Sequence, residues 1–588
     1  MENEKDFIFI TFSNYWVYVN HEKLYIFKYP LFCMDELNST NSHLTVAEYL
    51  IKRLYEIGVL HVFGVPGDYI LNFYAMLTNS RITVINTCDE QGAGFAADAY
   101  ARINGFGVVC VTYNVGGLKV INTTAEAYAE KSPVLVIAGA PGLEERKKYT
   151  LLHHKVKEYD DQYQIFKRIT VASTELRENI NAYEEIDRVL AEIIQKKGPG
   201  YIELRRDIVN QVPEHDIKSS TVIIKSEIGS QKIHPDVLEQ IVNRVNRSTR
   251  PVIMAGVEIA RNHLGHYIHD LANKAQIPLV SSMLGKSAID EANPLYLGVY
   301  AGVIENQQVR DYVESSDCLL LMGVILNDVN LGANTAKLNP DYLITLSSEG
   351  CMIGSRSYSG AGLEAIPELC EKVFVSHNIS QIPLTKAQRN SPFFPTNTKI
   401  TAERLFLAVN SLLNESVLLI ADVGDSGMGC MGITVPKPMQ FLCPIYYSSL
   451  GFSVPAAIGA KAARPDLRPL VIVGDGAFQM TGMEISTAAR YLMDPIVIIL
   501  NNSGFGTERP MIDGPFNDVS LWRYHRIPDI LESGRGYLVQ TEDEFVQALK
   551  ESMSSKDLSI IEVVLEKTDI TPQLRRICEE LAKGVNNK

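Results

Sequence analysis

The hydrophobic pattern of the chain changes at Leu44. Beyond this residue, short runs rich in Val, Ile and Leu alternate with stretches whose composition and spacing are helical. Several of the apolar runs end in Gly, Asn or Asp, which are residues that close a strand with a turn. Strands that alternate with helices in this way are typical of parallel sheets covered by helices. We therefore predict an α/β protein built from doubly wound parallel-sheet domains.

The predicted elements fall into three units separated by polar linkers. The first unit covers residues 43–213, the second residues 234–376 and the third residues 400–585. Residues 377–400, before the third unit, are rich in Ser, Asn and Pro. A chain of 588 residues is too long for one hydrophobic core, and its length alone indicates roughly three to four domains.

Residues 1–42 show no steady helical or strand period. They are crowded with Phe and Tyr, and Met34 precedes a polar stretch that is typical of an N-terminus. We predict that residues 1–42 lie outside the fold and that the first 33 residues are an upstream extension. An extra edge strand or a surface arm is the alternative. N-terminal sequencing of the native protein separates the two, because a mature terminus at Met1 contradicts the extension.

Composition narrows the class of protein. The formal net charge of −14 argues against a broad nucleic-acid surface, which needs clustered Lys and Arg. It does not exclude anionic ligands, since backbone N–H groups and a metal can bind phosphate. The nine cysteines form no CxxC pair and indicate reduced thiols in a cytoplasmic chain. No apolar run reaches about 18 residues, so we predict no membrane span.

A βαβ unit in the third domain places polar groups at the ends of two strands. The strand of residues 470–473 is followed by Gly-Asp-Gly at 474–476, and the strand of residues 496–500 by Asn-Asn-Ser-Gly at 501–504. The carboxyl ends of parallel strands form the ligand crevice of an open sheet. Between the two strands, Thr481 to Glu484 has the form of a capping box, which predicts a helix that begins there and reaches about Met493.

These polar groups suit a small hard cation and a diphosphate. Asp475, the Asn502 amide oxygen and a backbone carbonyl near Gly504 are oxygen ligands of the kind that Mg²⁺ prefers. The neighbouring glycines let the backbone approach a diphosphate closely. A Gly-Asp-Gly sequence alone is commonly a simple turn, whereas the pair of motifs with room for one helix and one strand between them is far more specific.

The paired motifs resemble the diphosphate motif of the thiamine diphosphate enzyme superfamily. The resemblance implies thiamine diphosphate and Mg²⁺ as cofactors, with metal ligands at Asp475, Asn502 and Gly504. It also implies a carboxylate that activates the cofactor to its ylid, and Glu90 matches that position. Glu90 follows the predicted strand of residues 84–86 and precedes an Ala-rich helix predicted from Gln91 onward. The alternative role for a glutamate at the start of a helix is a favourable interaction with the helix dipole, without any catalytic function.

Three further features resemble the pyruvate and indolepyruvate decarboxylase branch of this family. They are the Gly-x-Pro-Gly-Asp turn with Asp68, the adjacent pair His153 and His154, and the stretch that ends in Glu508. The resemblance implies that these four residues act with Glu90 as the catalytic groups. The implied reaction is non-oxidative decarboxylation of a small 2-oxo acid to an aldehyde and CO2, which makes the chain a carboxy-lyase.

The resemblance also assigns cofactor contacts within the third unit. Ser448 would accept a hydrogen bond through its backbone carbonyl, and Leu450 would support the bent cofactor. With Glu90, the assigned cofactor-binding residues are Gly424, Asp425, Ser448, Leu450, Gly474, Asp475, Gly476, Ala477, Asn502, Gly504, Phe505, Gly506 and Thr507.

Some positions depart from the family pattern. Ala477 stands where a serine often contacts the diphosphate, and Asp425 where a threonine is usual, so either change is expected to weaken cofactor binding. The stretch after His154 is longer than in relatives, so closure of the site is expected to differ. Gly427 and Thr507 are interpreted as an enlarged substrate pocket, which predicts that branched or aromatic 2-oxo acids are preferred over pyruvate.

The resemblance places the active site between the first domain of one subunit and the third domain of another, in a homodimer or homotetramer. Two rival functions stay open. An acetolactate synthase-type carboligase lacks the histidine pair and binds a flavin, so a colourless protein that releases aldehyde contradicts it. A cofactor-sensing regulatory paralogue would keep the fold without turnover; Asp425 and Ala477 favour it, and the intact catalytic set argues against it.

Overall fold

The computed structural model describes residues 10–12, 15–20, 23–28, 44–177, 180–213, 233–304, 306–360, 362–377 and 392–586. The strands Ile10–Phe12, Tyr15–Asn20 and Lys23–Lys28 form a small antiparallel sheet of their own. The rest of the predicted extension and most of the predicted linker at 377–400 lie outside the described residues, so both boundaries stay predictions. Within the described part of the chain, no helix has the length and apolar character that crossing a bilayer requires.

The first large sheet has six strands, all parallel. Their order across the sheet is Thr83–Asn86, His61–Gly64, Gly107–Val111, Val134–Ala140, Gly200–Arg205 and Ala172–Leu176. The helices around it are Val46–Glu56, Leu71–Thr78, Glu90–Asn104, Ile121–Ala129, Leu143–Lys148, Asp161–Ile169 and Ala182–Lys196, with a 3₁₀ turn at Gly117–Val120. The first helix begins at Thr45 with the capping box that its sequence indicates.

The central sheet has seven strands, ordered Tyr296–Val299, Leu279–Ser281, Pro251–Ala255, Cys318–Met322, Leu343–Ser347, Gly350–Ile353 and Arg356–Tyr358. Its helices are Pro235–Arg247, Val257–Arg261, Gly265–Ala275, Gln307–Glu314 and Ala365–Lys372, with 3₁₀ turns at Gly302–Ile304 and Pro340–Tyr342. Each of the last two strands, Gly350–Ile353 and Arg356–Tyr358, pairs antiparallel with the strand before it, which the sequence did not indicate. They are joined by tight turns that are too short for a crossover helix.

The third sheet has six parallel strands, ordered Phe441–Leu442, Val417–Ala421, Arg468–Gly474, Ile496–Asn501, Ser559–Val564 and Arg535–Val539. Its helices are Ala402–Leu412, Asp425–Cys430, Ser453–Ala463, Asp475–Thr481, Ile485–Arg490, Ile527–Leu531, Glu542–Ser554 and Pro572–Asn586. Further 3₁₀ turns lie at Gly482–Glu484, Pro515–Asn517 and Tyr524–Arg526. The prediction of three α/β domains is therefore confirmed.

The capping box predicted at Thr481 is wrong. The helix begins at Asp475, directly after the strand, and Thr481 is its last residue. The Thr481 hydroxyl donates to the Gly451 carbonyl at 2.5 Å, and the Glu484 carboxylate accepts from the backbone N–H groups of Cys88 and Asp89. Both side chains of the sequence motif therefore serve tertiary contacts, which a local pattern does not reveal.

The first and third domains pack through two helices rich in small residues, Glu90–Asn104 and Ser453–Ala463. A Cβ atom at Gly459 would lie 1.9 Å from the Ala96 carbonyl oxygen, so only glycine permits this approach. At the same junction, buried Arg102 binds Asp98 through two hydrogen bonds and Glu130 through one. This packing fixes the start of the Glu90–Asn104 helix relative to the third domain.

Candidate active site

A cavity of about 540 Å³ opens at the carboxyl ends of the strands of the third domain. Most of the residues that line it lie in the segments that follow the strands of the third domain, and the C-terminal helix adds three apolar side chains. They include Val423, Gly424, Asp425, Ser426, Met428, Ser448, Leu450, Gly474, Asp475, Gly476, Ala477, Met480, Asn502, Gly504, Phe505, Gly506, Thr507, Glu508, Leu565, Leu574, Ile577 and Leu581. The assigned third-domain contacts therefore lie around one cavity.

Asp475 is the charged centre of this cavity. Its side chain is buried, and it accepts hydrogen bonds from the backbone N–H groups of Gly476 at 2.7 Å and Gly504 at 3.1 Å. Burial raises the pKa of Asp475 to about 6, and these hydrogen bonds oppose the increase. A buried carboxylate of this kind is stabilised by a cation, and Asn502 offers an amide oxygen beside it.

Two glycines shape this part of the cavity, one by allowing a close backbone approach and one by leaving open space. Gly504 has a φ of +155°, and a Cβ atom there would lie 2.1 Å from the Asn517 carbonyl oxygen. A Cβ atom at Gly474 would meet no described atom within 4 Å. Backbone that is bare and open at a strand end suits a diphosphate, so the residues present fit a metal-bound diphosphate.

Ser426 supplies an observation that the sequence analysis missed. Its hydroxyl is buried at the cavity wall and has no hydrogen-bond partner among the described residues. A buried hydroxyl without a partner costs free energy unless a ligand satisfies it. Ser426 therefore offers a hydroxyl donor to an anionic ligand in the cavity, whereas Ala477 offers none. The sequence signal for Ser426 is its position one residue after Asp425, in the segment that follows the buried strand Val417–Ala421.

Asp425 lies in the same wall but turns toward the C-terminal helix. It accepts hydrogen bonds from the Thr571 backbone N–H at 3.1 Å and from the Thr571 hydroxyl. Burial raises the pKa of Asp425 to about 6, and the bonds from Thr571 oppose this increase. The residue is therefore neutral in acid and becomes a second anion in the cavity wall, in addition to Asp475, as the pH rises through about 6.

We expect Asp425→Asn to bind thiamine diphosphate more tightly than wild type at neutral pH. The amide keeps an acceptor for Thr571 and removes the anion. The ratio of the two affinities should be near one at pH 5 and reach about fivefold at pH 7.5, the effect of roughly 1 kcal/mol of repulsion. Asp475 titrates in both proteins, so its effect on cofactor affinity cancels in the ratio.

Isothermal calorimetry at both pH values measures this ratio. The matched control is Asp466→Asn, which changes an exposed acid of the same domain and should leave the ratio at one. A ratio for Asp425→Asn that does not change with pH contradicts the prediction.

Asp422 is a second residue that the sequence analysis missed. It is fully buried at the end of the strand Val417–Ala421 and accepts hydrogen bonds from Gly451 N–H and from the N–H and hydroxyl groups of Ser453. These bonds hold the segment with Ser448 and Leu450 against the cavity. Ser448 itself has a φ of +60°, which turns its backbone at this point.

A cluster of polar side chains forms at one end of the first sheet. His153 Nε2 lies 2.9 Å from an Asp68 carboxylate oxygen, and the Tyr69 hydroxyl lies 3.3 Å from His153 Nδ1. Ligand atoms of Asp68, His153 and His154 all lie within 4.8 Å of one another. The Arg206 guanidinium, also missed from the sequence, lies 3.8 Å from Asp68. The structure therefore brings together three of the predicted catalytic residues.

The stretch after the histidine pair closes on itself. His154 has a φ of +68°, and its carbonyl accepts a hydrogen bond from the Asn114 amide. Further along, the Tyr159 hydroxyl donates to the Tyr149 carbonyl at 2.7 Å, and the Tyr159 carbonyl accepts from the Tyr113 hydroxyl at 2.9 Å. The bond between Tyr159 and Tyr149 joins the two ends of the loop of residues 149–160, and the bonds from Asn114 and Tyr113 attach its middle and its second end to the rest of the first domain.

Glu90 belongs neither to the residues that line the third-domain cavity nor to the cluster of Asp68, His153 and His154. It is the first residue of its helix, its side chain is 12% exposed, and Asp89 caps the helix by accepting from Gln91 N–H at 2.8 Å. The Lys119 ammonium group lies 3.0 Å from the Glu90 carboxylate. None of the described residues of the first domain lines the cavity of the third, whereas Glu508 does. Within one chain, the two halves of the predicted site are therefore separate.

The interpretation of Gly427 as an opening in the pocket wall stays a prediction. A Cβ atom there would lie 3.0 Å from the Asp422 carbonyl oxygen and the Ile445 side chain and 3.1 Å from Cys443 Sγ. Ile445 and the neighbouring Met428 line the cavity. A side chain at position 427 would therefore contact one cavity-lining residue, Ile445, together with two groups that do not line the cavity.

Comparison with known proteins agrees with the three-domain architecture. Models of the thiamine pyrophosphate enzyme family match residues 44–165 as the N-terminal TPP binding domain, 238–363 as the central domain and 422–563 as the C-terminal TPP binding domain. The chain is 32% identical over 555 residues to indole-3-pyruvate decarboxylase of Azospirillum brasilense, covering 91% of this chain and 98% of that one.

Two further relatives have similar coverage. Identity is 27% over 548 residues to pyruvate decarboxylase 2 of Oryza sativa subsp. japonica, covering 90% of each chain. It is 29% over 545 residues to alpha-keto-acid decarboxylase of Mycolicibacterium paratuberculosis, covering 90% of this chain and 96% of that one. The chain belongs to the thiamine pyrophosphate enzyme family, within its 2-oxo acid decarboxylases.

Proposed function

We propose that the protein converts a small 2-oxo acid to an aldehyde and CO2, with thiamine diphosphate held by Mg²⁺. The observation that carries the proposal is the cavity of the third domain, where buried Asp475, open glycine backbone and an unpartnered Ser426 hydroxyl meet. The names of the three relatives, all decarboxylases of oxo acids, support the same reaction.

We assign the metal to Asp475, Asn502 and the Gly504 carbonyl, and the diphosphate to the backbone around Gly474 and to Ser426. When bound, thiamine diphosphate supplies the nucleophilic carbon and the electron sink of the reaction. The chain's own groups bind it, exclude water and move protons. In the proposed division of roles, Glu90 holds the proton at the pyrimidine N1′ atom.

Asp68, His153, His154 and Glu508 are proposed to carry protons at the reacting carbon and its substituents. The contact between His153 and Asp68 supports this role, because a carboxylate orients an imidazole and stabilises its protonated form. Arg206, 3.8 Å from Asp68, helps keep that carboxylate in place. Such groups are typically worth about 10²–10⁴ in rate.

We further propose that the complete site forms between two copies of the chain. Glu90, Asp68, His153 and His154 do not line the cavity of their own chain, so a second copy has to supply them. A homodimer is then the smallest active unit, and a homotetramer would contain two such pairs. Sedimentation of the holoenzyme with activity measured across dilution tests this, and an active monomer contradicts it.

Substrate size is proposed to depend on the C-terminal helix. The apolar wall of the cavity includes Met428, Met480, Ile577 and Leu581. We keep pyruvate, branched-chain and aromatic (indolepyruvate-like) 2-oxo acids as candidate substrates. Their order depends on how much space this wall leaves.

Ile577→Ala is expected to raise the ratio of kcat/KM for phenylpyruvate to that for pyruvate by about tenfold. Three carbons leave the wall, and each buried CH₂ of a longer substrate gains about 0.8 kcal/mol. The control is Leu549→Ala, which removes a buried side chain from the same core without lining the cavity and should leave the ratio unchanged. An unchanged ratio in Ile577→Ala contradicts the assignment of this wall.

The test of the whole proposal is an aldehyde assay across pyruvate, 4-methyl-2-oxopentanoate, phenylpyruvate and indolepyruvate. We expect aldehyde and CO2 only when thiamine diphosphate and Mg²⁺ are both present. An acetolactate-type product together with bound flavin would favour the carboligase. Tight cofactor binding without turnover of any of these acids would favour the regulatory paralogue.

A further inference from the structure

Lys119 makes a contact that the proposed mechanism does not use. It lies in the 3₁₀ turn Gly117–Val120, and its ammonium group binds the Asp89 carboxylate and lies 3.0 Å from a Glu90 carboxylate oxygen. Glu90 is the better buried of the two acids, with 12% of its side chain exposed against 43% for Asp89. The cation therefore bridges the proposed activating carboxylate and a neighbour near the surface.

The surroundings keep this lysine charged. The hydrogen bond to Asp89 raises the pKa of Lys119 most, and the bond to Glu90 adds to the increase. In the segment directly before Glu90, the backbone N–H groups of Cys88 and Asp89 donate to the Glu484 carboxylate. The ammonium thus faces Asp89 and Glu90, with Glu484 close behind them.

A cation on Glu90 has a consequence for the pyrimidine of the cofactor. In the proposed function, on which this inference rests, Glu90 binds a ring nitrogen that has to carry a proton. An ammonium group at 3.0 Å already neutralises part of the carboxylate charge and repels a positive charge on the ring. Asp89 counteracts this effect because it draws the same ammonium group away from Glu90.

We propose that Lys119 is a positioning residue that competes with the cofactor's pyrimidine ring for the Glu90 carboxylate, and that Asp89 limits this competition by holding the ammonium group. The two substitutions Lys119→Met and Asp89→Asn then have opposite effects. The first removes the competing cation, and the second leaves it on Glu90 alone.

Both variants suit the test structurally. Lys119 is 47% exposed, so methionine can replace its aliphatic stem without disturbing a core. Asp89 caps its helix through one oxygen, which accepts from Gln91 N–H at 2.8 Å, while the other binds Lys119. Asparagine keeps the capping oxygen and is itself a good N-cap, so Asp89→Asn changes mainly the hold on the lysine.

The experiment uses the full-length chain. Calorimetry on the cofactor-free protein measures the affinity for thiamine diphosphate in saturating Mg²⁺, and NMR measures exchange of the cofactor's C2 proton for deuterium. Lys119→Met should bind about three- to fivefold more tightly and exchange faster by a similar factor, the size of effect of a partly exposed ion pair. Asp89→Asn should change both quantities in the opposite direction, and Lys119→Arg should restore wild-type values.

The outcomes separate this inference from the proposed function. If Glu90→Gln exchanges the C2 proton as fast as wild type, Glu90 is not the activating group and the proposed function loses that assignment. If Glu90→Gln is slow while Lys119→Met and Asp89→Asn match wild type or shift in the same direction, the competition at Glu90 is overturned and the proposed function stands.

Discussion

Asp475→Ala is expected to abolish Mg²⁺-supported binding of thiamine diphosphate, and Asn502→Ala to weaken it nearly as much. The two residues contribute a charged and a dipolar oxygen to the shell of a small cation that tolerates poor geometry badly. Groups that merely orient metal ligands are worth about 10–100-fold in affinity, so loss of a ligand should exceed about 100-fold. Calorimetry with the cofactor, in Mg²⁺ and then in EDTA, measures the difference.

The structure provides a control for folding. Burial outweighs the hydrogen bonds to Asp475 and raises its pKa, so its ionised form costs free energy in the cofactor-free chain, and removing it should not lower the thermal stability. Asp466→Ala, at an exposed acid of the same domain, should leave cofactor affinity unchanged. If both Asp475→Ala and Asn502→Ala bind the cofactor as tightly as wild type, the metal site lies elsewhere.

Glu90→Gln is expected to slow exchange of the bound cofactor's C2 proton by about 10²–10⁴-fold while cofactor binding persists. Glutamine keeps the size of the side chain at the start of the helix Glu90–Asn104 and loses the ability to hold a proton at N1′. Deuterium exchange followed by rapid acid quench and NMR measures the rate on the bound cofactor.

Glu508→Gln is the matched comparison for this variant. Glu508 lines the cavity of the third domain and is proposed to act on the substrate, so its amide should slow aldehyde release and leave C2 exchange near the wild-type rate. The pair thus separates activation of the cofactor from the later steps. Wild-type exchange in Glu90→Gln, or full turnover in Glu508→Gln, would show that the family pattern misleads at that position.

The sequence by itself determined the class of fold and the two polar strand ends. Strands such as Val134–Ala140 are apolar on both faces and fully buried, and this pattern requires helices on both sides of a sheet. The motifs around Asp475 and Asn502 lie directly after such strands, so the parallel order brings them together. Local patterns succeed here because strand length, turn chemistry and strand order are all encoded within about thirty residues.

Tertiary structure decided what depends on partners distant in sequence. Thr481 and Glu484 have the spacing of a capping box, yet they bind Gly451, Cys88 and Asp89. A Cβ atom at Gly427 would lie 3.0 Å from the Asp422 carbonyl oxygen, and the local sequence does not reveal this contact because the rotation of a short helix depends on its packing.

The same reason explains the residues that the sequence did not reveal. Lys119 reaches Glu90 across 29 positions, Asp422 reaches Ser453 across 31, and Arg206 reaches Asp68 across far more. Charged side chains at such separations carry no periodic signal, and only the packing of the sheets and helices brings them to the atoms they bind.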